Sequence, residues 1–260
     1  MIKIKTDKQI DAMKPAGLLA WKLLEEVEKI IKPGISTEDI NTFVSDYTKK
    51  HKAISAPLNY KGFPKSVCTS INDVVCHGIP SPSAKLKEGD IINVDVTPIL
   101  NGYHGDSSRT YYVGSSIREQ TRQLVECTKK CLDLAIRAVK PGCTVGDIGY
   151  AIQSYAESQG FSIVRDFVGH GIGKVFHEDP QITHYGNPGE GVKLPKGAVF
   201  TIEPMLNGGD FHCKILKDGW TAVTTDGSLS AQFEHTIAIR HDGSVDVLTH
   251  PSYWDQNSGF

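Results

Sequence analysis

Lys32-Pro33-Gly34-Ile35-Ser36-Thr37-Glu38-Asp39-Ile40 returns later in the chain as Lys140-Pro141-Gly142-Cys143-Thr144-Val145-Gly146-Asp147-Ile148, every shared residue displaced by 108 (140 − 32). A second phrase keeps the same offset. Leu86-Lys87-Glu88-Gly89, running through Ile91 and Val94 to Asp95, recurs as Leu194-Pro195-Lys196-Gly197, running through Val199 and Ile202 to Glu203. The chain therefore reads as a duplicated scaffold in which Asp95 and Glu203 hold equivalent positions. If the halves pack face to face about a pseudo-twofold axis, these carboxylates converge on one cleft, which apolar patterning alone does not require.

Each Lys-Pro-Gly phrase stops one helix and introduces the next. Thr6 or Asp7 caps a helix whose apolar residues, from Ile10 and Met13 through Leu23, Leu24 and Val27 to Ile31, recur at helical spacing. Ser36 with Asp39, and Thr144 with Asp147, form variants of the capping box with a shorter acid than the usual Glu. The pattern predicts helices over about 7–31, 37–51, 117–139 and 145–159. After each helix pair come short runs rich in Val, Ile, Thr and aromatics, which predict strands. Asn101-Gly102 marks a hairpin that puts Asp95 and Asp106 on neighbouring strands if a bulge aligns them. Residues 200–205 and 233–239 supply two further strands, bearing Glu203 and Glu234. The expected class is α+β, with helices covering one face of an antiparallel sheet. One domain, 1–260, is expected, its halves running roughly 1–110 and 111–250.

Charge is balanced, 28 Lys plus Arg against 30 Asp plus Glu, without a long run of one sign. That argues against a nucleic-acid or membrane surface and leaves a small molecule or peptide as the default partner. The N-terminus lacks the apolar core of a signal peptide and no stretch suits a membrane span, so a cytoplasmic location is expected. The six cysteines are scattered without CxxC pairs and are expected to be reduced.

Asp95, Asp106, Glu203 and Glu234 all sit in apolar, strand-like contexts with no Lys or Arg at a comparable position. Burying an unpaired carboxylate is expensive, and two divalent cations would neutralise four of them. Four separate acids on solvated strand faces is the alternative, which the 108 offset disfavours. The segment from Phe167 to Pro180 carries Gly169, Gly171 and Gly173 at alternate positions, which disfavours a helix and lets backbone approach a ligand closely. His170 within it is the candidate nitrogen ligand. A helical HExxH zinc site is excluded, because His177-Glu178 leads to Gln181 where the second His is needed. The segment is no P-loop, and Gly105-Asp106-Ser107-Ser108-Arg109 lacks the last glycine of a nucleophile elbow.

The glycine-histidine loop, Asp95 with Asp106, Glu203-Pro204, and Gln232-Phe233-Glu234-His235 together resemble the methionine aminopeptidases, in the type I form found in bacteria. The resemblance runs from the first helix to about Leu248. It implies the pita-bread fold, two pseudo-symmetric halves enclosing a dinuclear metal site. It implies that Asp106 and Glu234 bridge two divalent ions, that Asp95 chelates one, and that His170 and Glu203 complete the shell of the other. Cobalt, manganese, iron(II) and zinc all suit such a set. The implied activity is removal of the N-terminal methionine from nascent proteins and peptides with a small second residue, a metal-bridged hydroxide attacking the first peptide bond. Glu203 would also shuttle protons. His177 would stabilise the oxyanion and His77 contact the scissile amide, while Tyr60, Phe63, Cys68, Phe176 and Trp220 would form the methionine pocket. His104 is either an outer support of the metal site or a satisfied polar residue beside it. Pro57 stands where some members place a cysteine, so the pocket rim differs in shape. Asn72, Val74 and Ser230 match positions that hold a monovalent cation. A monomer is expected, and any ribosome contact would come from the body of the domain.

Two other readings compete. A proline-specific peptidase of the same fold usually carries a large extra N-terminal domain, and 76 residues precede His77. A binding module that kept the fold and lost its metals would not be expected to keep all five ligands. The offset of 33 positions from His170 to Glu203 (203 − 170) leaves no room for the insertion of the type II enzymes.

Overall fold

The computed structural model describes residues 1–253 and contains four long helices and a set of antiparallel sheets. Helix α1 spans Asp7–Glu28, α2 Thr37–Lys50, α3 Glu119–Ala138 and α4 Val145–Ser158. Three of them open on capping boxes: Thr6 with Gln9, Ser36 with Asp39, and Thr144 with Asp147. In each, the cap side chain accepts a free N–H of the first turn and the third residue reaches back to the cap's own N–H.

The duplication is written in backbone hydrogen bonds. Gly34 N–H donates to Leu86 O as Gly142 N–H does to Leu194 O, and Leu86 N–H donates to Ile35 O as Leu194 N–H does to Cys143 O. Isolated bridges Ser36 to Lys85 and Thr144 to Lys193 keep the same offset (144 − 36 = 108; 193 − 85 = 108). The strands bearing the repeat, Ile91–Val96 and Val199–Ile202, are each flanked on both sides by antiparallel partners. Ile91–Val96 lies between Cys68–Ile71 and Ser107–Tyr112, and Val199–Ile202 between Gly169–Gly171 and His235–Ile239.

Each half has its own core. Leu23, Leu24 and Val27 of α1 and Ile40 and Val44 of α2 pack with Ile92, Val94 and Val96. Leu132, Ile136, Ile148 and Ile152 of α3 and α4 pack with Phe200, Ile202 and Ile237. Side chains stitch the halves together: Asn93 Nδ2 and Thr110 Oγ1 both donate to Gln232 O, at 2.9 and 2.7 Å. Gly105 lets α1 lie on the loop that carries Asp106, since a Cβ there would meet the backbone carbon of Ala16 at 2.3 Å.

The structure corrects three strand assignments. Asp106 is not on a strand opposite Asp95, and no bulge aligns the two. Asp95 faces Ser108, and the same register continues through the turn as Ile99 facing His104. The hairpin instead breaks around Thr97 and at Gly105-Asp106. Nor is the strand containing Val199–Ile202 continuous to Met205, because Pro204 has no N–H to offer a ladder and pairing resumes only at Met205–Asn207. Phe233-Glu234 likewise sits in a gap between Ser230–Gln232 and His235–Ile239. Three of the four acids thus occupy breaks between strands. There the backbone N–H groups of Asp106, Glu203 and Glu234 are taken by Thr236 Oγ1, His184 Nε2 and Ser108 O.

Candidate metal centre

Asp106, His170 and Glu234 each offer a ligand atom within 4.8 Å of the other two. His170 Nε2 stands 3.4 Å from Asp106 Oδ2 and 3.8 Å from Glu203 Oε1. Its other ring nitrogen, Nδ1, donates to Gly171 O at 2.9 Å, so Nε2 is the nitrogen turned to the carboxylates. Asp95 enters from the central strand of the first half and falls outside the tight trio. Its field is nonetheless felt by Glu234, as that of Glu203 is by Asp95.

The acids are fixed by hydroxyls. Thr97 Oγ1 donates to Asp106 Oδ1 at 2.7 Å, and Thr201 Oγ1 donates to Glu203 Oε1 at 2.8 Å while accepting the His170 N–H at 2.9 Å. His184, wholly buried, accepts the Glu203 N–H at 3.1 Å, and burial lowers its pKa to about 3, so its ring is neutral. Thr97, Thr201 and His184 were not singled out in the sequence. Only Thr201 left a local signal there, two residues before Glu203 and so on the same face of its strand.

The electrostatics fit a divalent cation. Among the described residues no Lys or Arg forms an ion pair with any of the four acids. Burial, then the neighbouring carboxylates, push Asp95 and Glu234 well above the usual acid range, and burial raises Glu203 to about 7. Burial alone would lower His170, but Asp106 and Glu203 outweigh it and raise its pKa to about 9. Without cations, then, the cluster retains protons. Four hard carboxylates and one imidazole are donors suited to divalent ions that also favour oxygen.

Beside the cluster runs a chain of rings. His177 lies 4.1 Å from the His170 ring, 4.2 Å from Phe176 and 5.1 Å from Tyr60, on which it stacks. Tyr60 also tilts against Phe176 at 4.9 Å. From the same turn, Phe63 meets Trp220 edge-on at 5.2 Å, and Trp220 meets His77 at 6.1 Å. Phe167, which the sequence offered only as the start of the glycine segment, packs edge-on against His77 at 5.5 Å. Cys68 pairs in register with Asp95, and burial raises its thiol well above the usual range, so it stays neutral. The predicted pocket residues and both outer histidines are therefore brought to the cluster. His104 turns its Nδ1 to Gly173 O at 2.9 Å and stacks on Phe176, which makes it a brace of the glycine loop. The close approach the glycines permit is to neighbouring backbone: a Cβ on Gly169 would meet Thr201 O at 2.5 Å, and one on Gly171 would meet Asp179 O at 2.1 Å.

The sequence profile of metallopeptidase family M24 matches residues 11–241. The chain belongs to metallopeptidase family M24. A methionine aminopeptidase A of Synechocystis is 58% identical over 248 residues, covering 95% of this chain and 97% of that one. The crystal structure of methionine aminopeptidase from Rickettsia prowazekii superposes with a TM-score of 0.93 at 50% identity, over 96% of this chain and 100% of that one. The fold is thus the M24 pita-bread fold. A prolidase from Pyrococcus furiosus shares the fold at a TM-score of 0.76 and 23% identity, and the alignment spans only 66% of its length.

Proposed function

We infer that this M24 metallopeptidase removes the N-terminal methionine from peptides and nascent proteins whose second residue is small. The observation that carries the reading is the meeting of Asp106, His170 and Glu234 at one point beside the Tyr60–Phe176–His177 stack. The near relatives named methionine aminopeptidase support it.

In this reading Asp95, Asp106, His170, Glu203 and Glu234 would together hold two divalent ions; cobalt, manganese, iron(II) or zinc would serve. When bound, such ions polarise the scissile carbonyl and acidify water near neutral pH. Tyr60, Phe63, Cys68, Phe176 and Trp220 receive the methionine side chain, the aromatic rings making favourable contacts with its sulfur. Glu203 takes a proton and returns it to the leaving amine, with Thr201 holding its carboxylate in place. His177 donates to the oxygen that gains charge in the transition state, and His77 contacts the scissile amide. With Phe167 beside it, His77 narrows the space for the second residue. Asn72 and Ser230 meet where Ser230 N–H donates to Asn72 O at 2.8 Å, and with Val74 they are the proposed monovalent-cation site. The enzyme works as a cytoplasmic monomer on emerging N-termini, and any ribosome contact is made by the body of the domain. Among the described residues no helix is long and apolar enough to cross a membrane.

The test is to incubate manganese-loaded protein with a Met-Gly peptide and with its N-acetylated form. Free methionine should appear only from the unblocked peptide. Release from both, or internal cleavage of either, would contradict an aminopeptidase.

A further inference from the structure

Lys61 sits at the mouth of the cleft in a backbone conformation that side chains rarely adopt. Its φ is +48° and its ψ +27°, inside a turn where Asn59 and Gly62 also have positive φ, at +66° and +92°. A non-glycine residue in this region is strained and persists only where its surroundings hold it. The turn is held by backbone bonds from Asn59 N–H to Phe63 O, Gly62 N–H to Asn59 O and Phe63 N–H to Tyr60 O, and by the burial of Phe63. The Lys61 ammonium lies 5.4 Å from the centroid of the Tyr60 ring, the ring on which His177 stacks. The side chain is exposed and forms no ion pair with any described residue. Its charge also reaches His177, where it opposes protonation of the ring.

These observations place an exposed cation without an ion-pair partner among the described residues beside the Tyr60 ring on which His177 stacks. The buried end of the pocket, Phe63 and Cys68, takes the methionine side chain, and the amine points to the metal cluster. In that reading the residues after the scissile bond leave past His177, on the side where Lys61 stands over the Tyr60 ring. We propose that Lys61 is a specificity residue for the departing part of the substrate, favouring peptides that carry an acidic side chain at the third position. This rests on the reading of the cleft as a methionine-removing site. An exposed pair of opposite charges contributes little, so the preference is a modest one, about threefold in KM, with kcat less affected. It weakens with salt, because both charges are solvated.

The experiment compares steady-state cleavage of Met-Ala-Asp-Ser, Met-Ala-Ser-Ser and Met-Ala-Lys-Ser by the manganese-loaded enzyme at low and high ionic strength. The expected order of KM is Asp lowest and Lys highest, converging at high salt. Lys61→Arg should keep the order, Lys61→Glu should reverse it, and Lys61→Gly, which suits the left-handed φ, should abolish it without straining the turn. Equal KM values for the three peptides in the unaltered enzyme would overturn the proposal, as would an order that survives Lys61→Glu. Failure to release methionine from any of them would contradict instead the underlying reading of the site.

Discussion

Thr201 Oγ1 donates to Glu203 Oε1 at 2.8 Å, and the same hydroxyl accepts the backbone N–H of His170 at 2.9 Å. One side chain thus orients two candidate ligands, His170 on the neighbouring strand and Glu203 in the break just after its own. Replacing Thr201 with the isosteric Val should leave Glu203 only the long 3.4 Å bond from Gln232 Nε2 and the His170 N–H unpaired. Loss of such an outer partner typically weakens metal binding by about 10–100-fold. Calorimetric titration of metal into Thr201→Val should show this loss, and unchanged affinity would remove Thr201 from the site's support.

His77 and His177 flank the cluster without belonging to the trio of convergent ligands. His77→Ala and His177→Ala should each lower turnover about 10²-fold, as expected for loss of one transition-state donor. Metal content, measured by elemental analysis after gel filtration, should match the unaltered protein. Loss of metal in either variant would move that histidine into the coordination shell.

Burial raises the pKa values of Asp95, Glu203 and Glu234 in the cation-free fold, Glu203 to about 7. A carboxyl whose folded pKa is raised contributes stability that is present below its unfolded pKa and lost as pH rises through the folded value. The cation-free protein therefore loses the Glu203 contribution between about pH 4.5 and 7, Asp95 and Glu234 add losses of the same sign, and His170, raised to about 9, adds its own from about pH 6.5 upward; bound cations would take the place of these protons. The rise in Tm on adding manganese should be larger at pH 7.5 than at pH 5.5. His184 and His235, held neutral by burial, affect both forms alike and cancel in this difference. Thermal melts with chelator and with saturating manganese at the two pH values measure it; an equal rise at both would contradict the linkage.

Gly171 packs against the strand Glu178–Ile182 so closely that a Cβ would stand 2.1 Å from Asp179 O. Gly171→Ala forces the strand bearing His170 away from its neighbour, an overpacking that costs about 1–3 kcal/mol. Urea denaturation should report that loss, and metal affinity should fall with it because His170 moves. A variant as stable as the parent would show that the two strands can separate freely.

The duplicated frame was legible because it is local and repeated: Ser36 with Asp39 and Thr144 with Asp147 fold as the capping boxes their spacing implies. The four acids were legible because carboxylates in apolar runs demand a partner. Their exact setting was not. Asp106, Glu203 and Glu234 looked like strand residues because their neighbours have strand character. Pro204 was a local sign of the break beside Glu203, but the capture of the three N–H groups by Thr236, His184 and Ser108 comes from elsewhere in the chain. The place of Phe167 beside His77 and the bond from Thr97 to Asp106 were not foreseen for the same reason, since they depend on long-range contacts rather than on spacing. The glycines around His170 were read as room for a ligand, and the neighbouring strands fill it.

The central claim, a metal-dependent cleft that selects methionine before a small residue, is tested most directly with a matched pair of peptides, Met-Ala-Ser and Met-Lys-Ser. Methionine release from each is measured for manganese-loaded protein, for protein stripped with chelator, and after manganese is added back. Rapid release from Met-Ala-Ser alone is expected, abolished by the chelator and restored by the metal. Equal cleavage of both peptides would contradict the specificity, and activity indifferent to the chelator would contradict the metal centre at Asp95, Asp106, His170, Glu203 and Glu234.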